Sequence, residues 1–181
     1  METTILAVRH GETDWNVERR VQGHTDRPLN ETGQAQAERL RDELAGEQLD
    51  AAYASDLARA YETARIVVAG RGLDVVTDPD LRERDFGTWE GLTDQEILER
   101  FPEARHHPWG DAETPAEMAE RVHGALERIA ARHPGGRVLV VTHGGPLRAI
   151  LRGCGAPADG PIANCHVARL GAGAAALRVL D

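Results

Sequence analysis

A chain of 181 residues, 41% hydrophobic and 28% charged, is long enough for one ordinary core and too short for two. A core of that size needs neither a disulfide framework nor a structural metal. The charge balance is 30 acids against 21 bases, net −9, and every base is an arginine, which excludes lysine Schiff-base chemistry and a P-loop lysine. An acidic chain repels nucleic-acid backbone and anionic membrane, so neither is expected as a partner. Cys154 and Cys165 lack zinc spacing and read as reduced, packed thiols. The opening Met1-Glu2-Thr3-Thr4 has no basic stretch followed by a long apolar one, and the longest apolar runs fall far below the ~20 residues of a membrane span. A cytoplasmic protein is the expectation.

In chain order, Ile5-Leu6-Ala7-Val8 is a continuous apolar run, the pattern of a strand buried on both faces, and it stops at Arg9-His10-Gly11. A polar loop follows, carrying Asn16, Gly23 and Pro28. The stretch from Glu31 to Leu44, with Asn30 as N-cap, reads as an amphipathic helix. Ala51 to Ala54 reads as a weak strand, Asp56 to Ala69 as a helix with an apolar face at Leu57, Ala60, Ala64 and Val67, and Leu73 to Thr77 as a third strand. Residues Arg82 to Thr93 look like loop. The stretch from about 87 to 115 holds one short helix, Gln95 to Phe101, and is expected to be a lid-like excursion from a single domain spanning 1–181.

Thr114 and Pro115 then open a helix that runs to Arg132 and stops before Pro134-Gly135-Gly136. Val138 to Val141 is the strongest strand, ending in Thr142-His143-Gly144-Gly145. A helix to about Arg152 and two weak strands, Ala163 to Leu170 and Ala174 to Leu180, complete the chain. Strands alternating with helices predict an α/β class: a three-layer α/β/α sandwich with a mostly parallel central sheet. Such sheets bind ligands beyond the carboxyl ends of their strands, where both buried strands deliver a histidine, His10 and His143.

Arg9-His10-Gly11-Glu12 sets a cation beside an imidazole, with a glycine that lets backbone approach a ligand, which suits a phosphate. With Ser55 to Ala64 at a helix start carrying Arg59, with Leu81-Arg82-Glu83 after a strand, and with Thr142-His143-Gly144 after another, the sequence resembles the histidine phosphatase superfamily, the phosphoglycerate-mutase-like fold group, over nearly its whole length. The resemblance implies that His10 is the nucleophile that becomes phosphorylated, that Arg9, Arg59 and His143 surround the phosphoryl group, and that Glu83 is the proton donor. It places further substrate contacts at Asn16, Gln22, Gly23 and Gly144. The chemistry fits: a neutral imidazole is a usable nucleophile, its phosphoramidate is labile to water, and guanidinium forks match phosphate oxygens. Positioning plus electrostatics suffices for such a transfer, so no metal or other cofactor is expected.

His106-His107 near Trp109 does not complete a metal site, because adjacent histidines point apart. His107 and Trp109 are instead candidates for a wall that sets specificity. The mutases of the superfamily follow the acid with a Tyr-Gly-x-Leu-x-Gly-x-Asn-Lys type segment and a later Arg-Arg pair, whereas this chain has Arg84-Asp85-Phe86-Gly87-Thr88-Trp89-Glu90-Gly91-Leu92-Thr93-Asp94. It therefore resembles the phosphatase branch, with a small-molecule phosphate ester as partner. A mutase and a catalytically inactive phosphate-binding module are the alternatives. The acids of that segment are expected to repel a second anionic group and so to favour a monoester on a neutral body. The assembly state stays open, a homodimer included.

Overall fold

The computed structural model describes residues 1–106, 112–173 and 177–180. Strand β1 (Thr3–Arg9) leads into a four-residue helix α1 (Asp14–Val17), then helix α2 (Glu31–Glu43), strand β2 (Ala51–Ala54), helix α3 (Ala58–Val67) and strand β3 (Val75–Thr77). Helix α4 (Asp94–Arg100), helix α5 (Pro115–Arg132), strand β4 (Arg137–Thr142), helix α6 (Gly144–Gly153), strand β5 (Val167–Ala172) and strand β6 (Arg178–Val179) follow.

The six strands form one sheet in the order β3-β2-β4-β1-β5-β6. β3, β2, β4 and β1 run parallel, and β5 and β6 close the far edge antiparallel to their neighbours. Period-2 alternation, with both faces covered, explains why β1 and β4 are apolar through their centres. Ile5, Ala7, Val138 and Val140 face a core shared with α5 and α6. Leu6, Val8, Leu139 and Val141 face the opposite core, with residues of α2 and α3. The three layers are therefore a sheet between two helix pairs. Among the described residues no helix is long and apolar enough to cross a membrane.

Several expected boundaries move, each for a local reason. The loop after β1 contains α1, because Thr13 and Asn16 form a capping box that closes one turn. Helix α3 starts at Ala58 instead of Asp56, since Asp56 forms a bidentate pair with Arg82 at 2.7 and 2.6 Å. Ala58 N–H takes its cap from Asp26, 2.7 Å away. Strand β3 pairs only from Val75. The stretch 82–93 contains a 3-10 turn at Gly87–Trp89. Strand β5 begins at Val167 because Cys165 takes a left-handed conformation, φ 57°. Of the last expected strand only Arg178–Val179 pairs, and 174–176 lie outside the described residues.

Within 87–115, Trp89, Ile97 and Ala104 form a small cluster of their own, joined by Val21, Phe86, Leu92 and Phe101. A bridge between Arg20 and Thr93 helps tie this segment to the loop after β1, with Val21 N–H donating to Leu92 O at 2.9 Å.

Candidate active site

The parallel register that sets Arg9 beside Thr142 also sets the next residues, His10 and His143, side by side. Their rings lie edge to face with centroids 5.1 Å apart. Both are buried, at 3% and 0% exposure. His10 is fixed through its backbone: its N–H donates to Thr142 O at 2.9 Å, and its carbonyl accepts from Asn164 Nδ2 at 2.9 Å. The following Gly11 N–H donates to Thr63 Oγ1 on α3, 3.0 Å away. Gly11 is irreplaceable on steric grounds, since a Cβ there would lie 2.5 Å from the carbonyl oxygen of Gly33.

The hydrogen bonds settle the two imidazole tautomers. His10 Nδ1 faces Gly11 O at 2.6 Å; a carbonyl only accepts, so Nδ1 carries the proton and Nε2 holds the lone pair. Arg59 Nε–H lies 3.2 Å from His143 Nδ1; a guanidinium only donates, so His143 is protonated on Nε2 instead. That Nε2, fully buried, meets no protein acceptor among the described residues. Burial, then the charges of Arg59 and Arg9, hold the His10 pKa well below its ordinary value. Burial and Arg59 do the same for His143. Both rings are thus neutral at pH 7. The expected NMR result is that both imidazoles stay neutral well below pH 6.5, with Nδ1–H on His10 and Nε2–H on His143. One shared tautomer in the long-range ¹⁵N pattern contradicts the geometry.

Arg59 is wholly buried. A desolvated guanidinium is costly unless its donors are used, and three are: to His143, to Gly23 O at 2.8 Å and to Thr25 O at 3.0 Å. Burial lowers its pKa to about 10, so it stays charged at neutral pH. Arg9 donates to Ile162 O, while its buried Nε has no partner among the described residues.

Glu83 reaches the site from the stretch after β3. Its Oε1 accepts from Arg84 N–H at 2.8 Å and its Oε2 from Gly145 N–H at 3.0 Å. A Cβ at Gly145 would overlap Glu83 Oε1, so any larger residue there would displace the carboxylate. A cleft of about 810 Å³ is lined by Arg9, His10, Arg59 and Glu83. Asn16, Gln22, Gly23 and Gly144 line it as well, so the structure brings these eight together with His143 behind them. Asn16 serves twice: its Oδ1 accepts from Thr13 N–H at 3.1 Å within the capping box while the residue faces the cleft. Gln22 Oε1 accepts from Thr13 Oγ1 at 3.0 Å. His107 and Trp109 lie outside the described residues.

Three supports were missed in the sequence. Glu90 accepts from His24 N–H and Thr25 N–H at 2.8 Å each, from Thr25 Oγ1 at 2.5 Å and from Phe86 N–H at 3.2 Å. It thereby clamps the loop whose carbonyls hold Arg59. Arg121 on α5 donates to the carbonyls of Asp80, Arg82 and Glu83, and pairs with Glu113 through both nitrogens at 2.5 and 2.7 Å. It fixes the backbone that carries Glu83. Asn164 is the third. No spacing rule flags such long-range hydrogen bonds to backbone.

One electrostatic expectation is overturned. Among the described residues the acids of 84–94 do not line the cleft: Glu90 is consumed as above, and Asp85 accepts from Gly87 N–H at 2.8 Å. Among the described residues the charged lining of the cleft is six arginines and one acid, Glu83. The segment therefore sets no carboxylate against a second anionic group in the cleft wall.

The chain is similar to known proteins over most of its length. The family described as "Histidine phosphatase superfamily (branch 1)" matches residues 5–179. A phosphoglycerate mutase-like protein 4 of Arabidopsis thaliana is 45% identical over 158 residues, covering 81% of this chain and 68% of its own. A metal-independent phosphoserine phosphatase of the same plant is 42% identical over 177 residues, covering 91% and 74%. The solved structure of Bacillus stearothermophilus YhfR superposes with a TM-score of 0.90 at 37% identity, covering 98% of this chain and 95% of that one.

Proposed function

Since the chain belongs to the histidine phosphatase superfamily (branch 1), we propose that it hydrolyses small-molecule phosphate monoesters through a phosphohistidine on His10. The observation that carries this reading is the neutral His10, its Nε2 lone pair free, beside two cationic guanidiniums in one cleft. In the first half-reaction Nε2 forms a bond to phosphorus as the ester P–O bond breaks, and Glu83 gives its proton to the departing oxygen. In the second, Glu83 as carboxylate takes a proton from water, whose oxygen displaces Nε2 and releases inorganic phosphate. Arg9 and Arg59 neutralise charge on the equatorial oxygens, and His143 Nε2–H donates to one of them. Gly144 opens α6, whose positive end adds to that field. Asn16 Nδ2 and Gln22 Nε2 are the further donors of this reading.

The test is stoichiometric release of phosphate from an aryl phosphate, followed by a panel of sugar, nucleotide and hydroxy-acid phosphates. Isomerisation of a phosphoglycerate primed by its bisphosphate, without net phosphate release, indicates a mutase. Binding of phosphate with neither reaction indicates a module without chemistry.

A further inference from the structure

Helix α6 carries more than the site requires. Gly144, Gly145, Arg148, Ala149 and Arg152 all line the cleft. Spacings of four keep residues on one helix face, and a rise of 1.5 Å per residue puts Arg148 about 6 Å along the axis from Gly144. Gly144 itself abuts Arg9: a Cβ there would sit 3.5 Å from Arg9 Nε. Arg148 is thus one helical turn outward from the phosphoryl pocket.

Arg148 is only partly exposed, and among the described residues no acid lies within ion-pair distance of it. Other arginines are matched: Arg20 with Glu18 and Glu96, Arg82 with Asp56, Arg121 with Glu113, Arg137 with Glu47. In a chain with nine more acids than bases, a partly buried arginine left without an acid in a cleft that five other arginines line is not a solvation accident. Burial lowers the Arg9 pKa, and the nearby charge of Arg148 pushes it the same way. One turn farther out, Arg152 has only an exposed contact with Asp159 at 3.4 Å, which screening makes weak. The wall of the same cleft includes Met118, Ala119 and Ile162, suited to a short carbon chain.

A phosphomonoester dianion is already matched by Arg9 and Arg59. We infer that Arg148, with Arg152 behind it, forms a subsite for a second anionic group of the substrate, a carboxylate or a second phosphate, carried about one helical turn from the transferred phosphoryl. This rests on the phosphatase reading of the cleft and narrows its substrate class.

The test compares three probes of one chain length: propyl phosphate, 3-(phosphonooxy)propanoate and propane-1,3-diyl bisphosphate. Wild type is expected to favour the carboxylate or the bisphosphate probe over propyl phosphate by about tenfold or more in kcat/KM, the scale of one charge-assisted pair. Whichever probe wins identifies the anion. In Arg148→Gln the ratio is expected to fall below about threefold, in Arg148→Lys to recover in part, and in Arg128→Gln, on the outer face of α5, to stay at the wild-type value. A ratio near one in wild type, or an undiminished ratio in Arg148→Gln, overturns the subsite. Calorimetric Kd values for the same probes separate the two readings. If no ester is hydrolysed but the carboxylate probe still binds more tightly through Arg148, the phosphatase reading fails and the subsite stands.

Discussion

His10→Ala is expected to abolish phosphate release, by about 10⁴-fold or more on the scale of other covalent catalysts, and to leave the protein folded. The two effects separate because the residue is held by its backbone: N–H to Thr142 and carbonyl to Asn164 survive the substitution. What is lost is the imidazole and one hydrogen bond to Gly11 O. Substrate labelled with ³²P leaves an acid-labile, alkali-stable label on denatured wild type and none on the variant. A label that survives in His10→Ala shows that another residue accepts the phosphoryl group. The neutral state of His10 sharpens this. A ring kept unprotonated by burial beside Arg59 and Arg9 is a nucleophile without prior deprotonation, so no separate base has to be found for it.

That same burial has a stability consequence of defined sign. Both imidazoles bind protons more readily in the unfolded chain than in the folded one, so stability rises with pH between their depressed folded values and about 6.5. It falls as pH drops through that window, because unfolding then takes up protons that the folded site refuses.

The strands that deliver the site were legible because β1 and β4 are buried on both faces, leaving unbroken apolar runs that end at Arg9-His10 and Thr142-His143. Helices α2 and α5 announced themselves through Asn30, Thr114 and Pro115. What the sequence did not disclose is pairing at a distance. Asp56 reads as a helix start, yet its carboxylate belongs to Arg82, 26 residues on. Glu90 reads as one of several acids turned toward a ligand, yet its oxygens are spent on backbone N–H groups more than sixty residues earlier. No motif marks Arg148, four residues on from Gly144. Only the fold, which sets one face of α6 along the cleft, places it there.

Glu83→Gln is the most discriminating substitution, because its defect is expected to depend on the substrate. The carboxylate oxygens each accept a backbone N–H, from Arg84 and from Gly145. A glutamine amide offers one acceptor, so its NH2 must face one of those donors and the side chain shifts. Such a shift alone would slow every substrate alike. Loss of the proton would not: an alkyl phosphate, whose alkoxide departs poorly, is expected to lose about 10²–10⁴-fold in phosphorylation, whereas an activated aryl phosphate loses much less. If Glu83 also serves water attack, the aryl substrate gives a burst of phenol equal to the enzyme, then slow turnover with phosphohistidine accumulating. A steep dependence of kcat/KM on leaving-group pKa in the variant, shallow in wild type, is the signature. Equal losses on alkyl and aryl esters with no burst mean that Glu83 only braces Gly145 and Arg84. Neither Glu12 nor Asp85 then replaces it, because neither lines the cleft: Glu12 accepts from Asn30 Nδ2 at 3.0 Å, and Asp85 caps Gly87.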